Sequence, residues 1–203
     1  GETILREKLA NLERFIYAED GVDPLVKLAV VHYQFEAIHP FTDGNGRTGR
    51  ILNILFLIEQ GLLDIPVLYL SRYIIERKNA YYSGLRGITE KGDWESWILY
   101  MLEAVEQTAR ETRGKILEIR DLMNVDIEKV KAELPKIYSK ELLELLYHQP
   151  YCKIRFLEEA GIAQRQTASV YLKELARIGV LEAFKSGREV YYINNKLLKL
   201  LVK

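Results

Sequence analysis

Residues 51–58, Ile-Leu-Asn-Ile-Leu-Phe-Leu-Ile, form the longest nearly apolar run in the chain and constrain its fold more than any other feature. With their flanks they read as one helix from Arg47 to Gln60, apolar on almost every side, stopped by Gly61. A helix of that kind is expected at the centre of a bundle. The run is too short to cross a bilayer, which takes roughly 20 apolar residues, so no membrane partner is expected. With 48% apolar residues in 203, the chain can bury one good core or two small ones.

The neighbouring segments repeat the helical period. Leu5, Leu9, Leu12, Phe15 and Ile16 fall on one face before Gly21. Asp23-Pro24 supplies an N-cap and a first helical residue for a second helix carrying Leu25, Leu28, Ala29 and Phe35, which stops at His39-Pro40. In Leu62 to Leu70 the pattern breaks: Asp64 and Pro66 precede Val67-Leu68-Tyr69-Leu70, which reads as an edge strand or hairpin arm. Ser71 is expected to cap a helix through Tyr82. Asp93 is expected to cap a long one that carries Trp94, Trp97, Ile98, Met101, Leu102 and Val105 and runs past Gly114 to Pro135.

After Pro135 the character changes. Residues 1–135 carry a net charge of −5 and residues 136–203 a net +5, a split that the overall charge of zero hides. Ser139 to His148, Lys153 to Ala160 and Gln164 to Ile178 read as three helices. Val180 to Phe184 and Glu189 to Ile193 read as two strands about a Lys185-Ser186-Gly187-Arg188 turn. Three helices and a hairpin make a winged helix-turn-helix pattern. Two domains are therefore expected, 1–135 and 136–203. In the second, Gln164, Arg165, Gln166, Thr167 and Lys173 on the third helix, with Lys185 and Arg188 on the wing, suit DNA; a protein partner, including a second copy of the chain, suits the same surface.

Cys152 is the one cysteine and has no cysteine to pair with, and no charged-then-apolar leader opens the sequence. These features predict a cytoplasmic protein with an inert thiol.

The chemistry is concentrated in His39-Pro40-Phe41-Thr42-Asp43-Gly44-Asn45-Gly46-Arg47-Thr48-Gly49-Arg50. Gly44 and Gly46 allow the backbone dihedrals that gather successive N–H groups into an anion-binding nest, and the helix that follows adds its positive end. Arg47 and Arg50 stand three apart on its first turn and can hold phosphate oxygens bidentately. Cations at a helix N-terminus oppose the macrodipole at a cost of about 0.3–1 kcal/mol each, which a bound anion offsets. A carboxylate beside a polyphosphate, as Asp43 would be, most often holds Mg²⁺. His39 has the side chain suited to proton transfer near neutrality.

These twelve residues match, position for position, the His-Pro-Phe-x-Asp/Glu-Gly-Asn-Gly-Arg-x-x-Arg signature of the Fic family, and the similarity extends to about Val105. The resemblance implies a mainly α fold, a Fic-type helical bundle with a short β-hairpin flap, followed here by the winged helix. It implies a protein adenylyltransferase that moves AMP from ATP to a Ser, Thr or Tyr hydroxyl. In that scheme His39 is the base, Asp43 the Mg²⁺ ligand, Gly44, Asn45 and Gly46 the holders of the α- and β-phosphates, and Arg47 and Arg50 the holders of the β- and γ-phosphates. The Gly-Asn-Gly is the adenylyl-transfer form, altered in the family's kinase-like branch; branches that move other phosphate-containing groups share it.

By the same resemblance Leu62 to Leu70 is the flap that holds the target peptide by strand addition. Tyr81 and Tyr82 stand where family members line the adenine pocket; being adjacent, they point about 100° apart, so one suffices for adenine and the other belongs to the core. Trp94, Trp97 and His32 are read as structural. The family's inhibitory Ser/Thr-x-x-x-Glu-Gly/Asn segment has no match here, since Thr3 to Lys8 has the spacing but ends in Lys. Such a helix is expected upstream of Gly1. The rival to an enzyme is a nucleotide-sensing, DNA-binding regulator, which would need the nest and the arginines but no base.

Overall fold

The structure is a computed structural model that describes residues 1–202. Its contacts divide the chain into two compact units, residues 1–112 and residues 113 onward. The division falls inside a helix rather than after Pro135, because Val130 and Leu134 already belong to the C-terminal core.

The first unit is helical throughout: α1 (Glu2–Ile16), α2 (Pro24–Ile38), α3 (Asn45–Glu59), α4 (Leu70–Glu76), α5 (Lys78–Lys91) and the beginning of α6 (Trp94–Glu133). Asp23 caps α2, accepting from the Leu25 and Val26 N–H groups, with Pro24 at the first helical position. The Ser96 N–H donates to Asp93 at 3.2 Å at the start of α6.

The centre of this unit is α2, not α3. Leu28 packs with Phe56, Leu57, Leu68, Leu70 and Tyr73; Ala29 with Ile74, Tyr81, Trp97 and Met101; Val31 and Phe35 with Leu12. The expectation of a fully enclosed α3 fails: Ile51 is 57% and Leu55 56% exposed, while Gly49, Asn53, Phe56 and Leu57 are buried. An apolar run shows only that a face can be buried, and α3 packs against α2 on one side. Even Lys27 of α2 is buried, donating to the Ala18 carbonyl at 2.6 Å and pairing with Asp20 at 2.9 Å.

The expected hairpin at Leu62 to Leu70 is also absent. Among the described residues no strand lies there; Val67 N–H bonds to the Ile65 carbonyl and Leu70 N–H to that of Leu68, and Leu70 opens α4. Leu68 and Leu70 are buried, while Val67 and Tyr69 are exposed. Burial alternates along this run as it would in a strand, but a strand needs a paired neighbour and none is supplied.

The second unit adds α7 (Lys140–Tyr147), β1 (Tyr151–Cys152), α8 (Ile154–Glu159), α9 (Arg165–Arg177), β2 (Glu182–Ser186), β3 (Glu189–Ile193) and α10 (Asn195–Val202). Ser139 caps α7 by accepting from the Leu142 N–H at 3.1 Å. The antiparallel sheet has the order β1-β3-β2, with Tyr151 opposite Ile193 and Phe184 opposite Tyr191. Leu142, Leu143, Leu146, Leu157, Leu172 and Leu175 make one continuous core with the buried Cys152, whose thiol pKa is pushed by burial up to about 12. No helix among the described residues is long and apolar enough to cross a membrane.

Candidate active site

The loop between α2 and α3 begins with a strained residue. His39 is the one non-glycine among the described residues with a positive φ, at φ 51° and ψ 59°, and its N–H still bonds to the Phe35 carbonyl at 3.1 Å. The residue before a proline is pushed out of right-handed helical space. His39 meets that restriction ahead of Pro40 by turning left-handed, a conformation that costs roughly 1–2 kcal/mol for a residue with a Cβ. Its imidazole is exposed and makes no hydrogen bond among the described residues.

The start of α3 is open. Gly44, at φ 87°, is its N-cap. The Thr48 N–H is the first in the helix to find a backbone acceptor, the Gly44 carbonyl at 2.9 Å. The N–H groups of Asn45, Gly46 and Arg47 precede it and have no helical acceptor. The Arg47 guanidinium folds over Gly44, with Nη2 3.4 Å from where a Cβ would stand; that of Arg50 lies over Gly46, with Nη1 3.1 Å from the same imagined atom. Glycine at these two positions brings two cations and three N–H groups to one surface.

Asn45 departs from expectation. Its side chain is buried and spent on the loop itself, accepting from the Phe41 N–H at 2.9 Å and donating to the Phe41 carbonyl at 2.6 Å. It braces the loop, and its backbone N–H is what it offers an anion. Asp43 is exposed, accepts from the Gly44 N–H at 2.7 Å and pairs with Arg47 at 3.0 Å. Among the described residues no cluster of three or more His, Cys, Asp or Glu could form a protein cage for a metal. A single exposed carboxylate fits Mg²⁺ held mainly by phosphate oxygens and waters.

The two tyrosines separate as their spacing requires. Tyr81 is 5% exposed and its hydroxyl lies 3.0 Å from His32 Nε2, so it belongs to the core; Tyr82 is 53% exposed and packs against Tyr81 ring edge to face. His32 is sealed, stacked on Trp97, and held neutral, its pKa lowered by burial to about 4. Trp97 is buried and donates to the Ala29 carbonyl at 2.8 Å, whereas Trp94 is 37% exposed against Tyr33. Sequence reasoning passed over Glu36, three residues before His39. Its Oε1 is enclosed without a hydrogen-bond partner, and burial raises its pKa. A carboxylate on an otherwise apolar helix face was the available signal.

The grooves lined by Asn11, Phe15 and Gln34 in the first unit and by Pro150, Phe184 and Tyr191 in the second do not include the loop. The site is an open surface of N–H groups and guanidinium groups.

Residues 4–57 match the Fic/DOC family model, and residues 122–197 match the model of the C-terminal domain of SoFic-like protein adenylyltransferases. The chain is 28% identical over 137 residues to the protein adenylyltransferase fic-1 of Caenorhabditis briggsae, covering 66% of this chain and 26% of that protein. It is 44% identical over 72 residues to the probable protein adenylyltransferase aq_aa38 of Aquifex aeolicus (strain VF5), covering 36% of this chain and 22% of that one. It thus spans about a quarter of the length of these relatives. The crystal structure of a Fic family protein from Desulfovibrio desulfuricans G20 shares the fold, with a TM-score of 0.51 and 23% identity over 93% of this chain and 55% of that one. The full signature from His39 to Arg50 at the α2–α3 junction thus lies within a stretch similar to the Fic/DOC family, and residues 122–197 are similar to the SoFic-like C-terminal domain.

Proposed function

We propose that the chain is a protein adenylyltransferase that moves AMP from ATP to a Ser, Thr or Tyr hydroxyl of a target protein. The observation that carries this reading is an exposed imidazole, free of hydrogen bonds, beside free N–H groups and two arginines in the first two turns of α3. The relatives named as adenylyltransferases point the same way.

In this mechanism the N–H groups of Asn45, Gly46 and Arg47 hold the α- and β-phosphates, and Arg47 and Arg50 hold the β- and γ-phosphates. The acceptor oxygen attacks the α-phosphorus, its bond to the bridging oxygen breaks, and pyrophosphate leaves. His39 takes the hydroxyl proton. Positioning and charge neutralisation supply most of such catalysis, and the rigid α2–α3 junction supplies both. Asp43 would hold Mg²⁺, which when bound neutralises charge on the phosphates. Tyr82, with its exposed ring, is the better candidate for adenine. In this reading the segment Leu62 to Leu70, with Val67 and Tyr69 exposed, takes the extended target peptide. The cytoplasm is the proposed compartment. Incubation with ATP and Mg²⁺ should add one AMP, by mass spectrometry, to the chain itself or to a lysate protein; no such gain with any hydroxyl acceptor overturns the reading.

A second partner is proposed for the C-terminal unit. Gln166, Val170 and Lys173 share the outward face of α9, Arg165 and Thr167 are exposed at its start, and Lys185 and Arg188 flank the hairpin turn. Arg165, Lys173, Lys185 and Arg188 make no ion pair among the described residues, whereas Lys153, Arg177 and Lys196 each hold a carboxylate. A winged helix that reads DNA would show this arrangement. Binding of a duplex should weaken with salt, and each of the four replaced by Ala should reduce the salt slope by about 1. Unchanged slopes would leave the surface to a protein or to a second copy of the chain.

A further inference from the structure

We propose that Glu36 is a positioning residue for the phosphate-binding surface, its carboxylate backing the Arg50 guanidinium from beneath the first turn of α3. This rests on the reading above that phosphate binds there. A Cβ imagined on Gly46 would stand 3.1 Å from Arg50 Nη1 and 3.8 Å from Glu36 Oε1, so the two groups flank one point. A Cβ imagined on Gly49 would stand 2.7 Å from the same oxygen, 3.2 Å from Phe35 Cδ1 and 3.4 Å from His32 Cε1. The missing side chain at Gly49 is what leaves room for the carboxylate. Its Oε1 has no surface and no hydrogen-bond partner, an arrangement that folding alone does not favour.

The charges around it agree. Burial raises the Glu36 pKa, and the nearby His39 and Arg50 pull it back down. Arg50 is also felt by His32 and Tyr81, and Glu36 by Tyr81, so the four side chains share one electrostatic neighbourhood. Arg50 and Glu36 form no close ion pair among the described residues. The guanidinium therefore keeps its hydrogen-bond donors for phosphate while a negative charge behind it restrains where it sits. A carboxylate that claimed those donors outright would compete with the nucleotide; one behind them orients them.

The test is calorimetric titration of the full chain with ATP and with AMP, both with Mg²⁺, for the wild type, Glu36→Gln, Arg50→Ala and the double variant. Glu36→Gln should weaken ATP by roughly tenfold and leave AMP unchanged, and should cost nothing further once Arg50 is gone. Gly49→Ala keeps the carboxylate but crowds it aside, and should give the same ATP-selective loss; it also serves as the readout should Glu36→Gln fail to fold. Equal losses for ATP and AMP, or additive losses in the double variant, would show a merely structural Glu36 and overturn the proposal. A wild-type chain that binds neither nucleotide would instead bring down the phosphate-site reading, and this proposal with it.

Discussion

The two units bury different things. From residue 113 onward there is one continuous core of leucines, in which Asp126 accepts from Tyr147 at 2.7 Å and Asn194 from the Leu197 N–H at 3.0 Å, while Asp126 Oδ1 and Asn194 Nδ2 are enclosed without a hydrogen bond among the described residues. In residues 1–112 the apolar burial is divided among three clusters, and His32 Nδ1, Glu36 Oε1 and both side-chain heteroatoms of Asn53 are enclosed without partners. Those of His32, Glu36 and Asn53 lie on α2 and α3, flanking the loop whose first residue is strained, and the Tyr100 hydroxyl on α6 is enclosed in the same way. Orphaned atoms occur in both units, but only the first gathers four of them, on His32, Glu36 and Asn53, beside a strained loop, and that marks the junction as the place selected for something besides stability.

The largest expected effect tests whether the junction acts chemically. His39→Ala should slow adenylyl transfer by about 10²–10⁴-fold while ATP still binds, because the imidazole acts on the hydroxyl and not on the phosphates. Transfer at the wild-type rate would remove the base from the scheme. The same substitution should leave the melting curve nearly unchanged.

The second prediction goes to the other unit. Leu172→Ala in the C-terminal core should cost about 2–5 kcal/mol in urea unfolding of that unit, with ATP affinity unaltered, since Leu172 is fully enclosed among neighbours that cannot collapse onto the gap. A loss of ATP affinity would show that the division between the units is not a functional one.

The third uses pH. His32 has its folded pKa lowered from 6.5 to about 4, so between those values the unfolded chain binds the extra proton. Stability from this group is complete above about pH 6.5 and falls as pH drops toward 4, by on the order of 3 kcal/mol. The raised Glu36 pKa works in the opposite direction at acid pH, so the check is a difference: His32→Asn should flatten the wild-type decline between pH 6.5 and 4. An unchanged decline would show that His32 is not the group responsible.

The smallest pair sets one positive φ against another. His39→Gly should stabilise the first unit by about 1 kcal/mol, and Gly187→Ala, at φ 59°, should destabilise the second by a similar amount. Chemical unfolding of each variant reads both. Two changes of the same sign would mean that the left-handed His39 carries no strain.

Much of this was legible in the chain. The Asp23-Pro24 start, the helix from Ser139, the long helix from Trp94 and the hairpin about Gly187, although β2 runs on through Lys185 and Ser186, follow from local rules of capping and turn formation, which act over a few residues. The short β1 strand and α10 were not legible, because two residues carry no period and an amphipathic helix at a chain end has no following stop. The strand run near Val67 was overread, since a short apolar run after a proline is not a strand without a partner.

The sequence by itself determined the helical period of both units and the residue types gathered in the loop, because His39, the two glycines and the two arginines fall within twelve residues of the chain. Tertiary structure alone decided that α2 rather than α3 lies at the centre, that Tyr81 rather than Tyr82 is buried, and that the Glu36 carboxylate is enclosed against Gly49. Each of those outcomes depends on which helix is covered on two sides, and that is set by contacts between residues far apart in the chain, which no local spacing records.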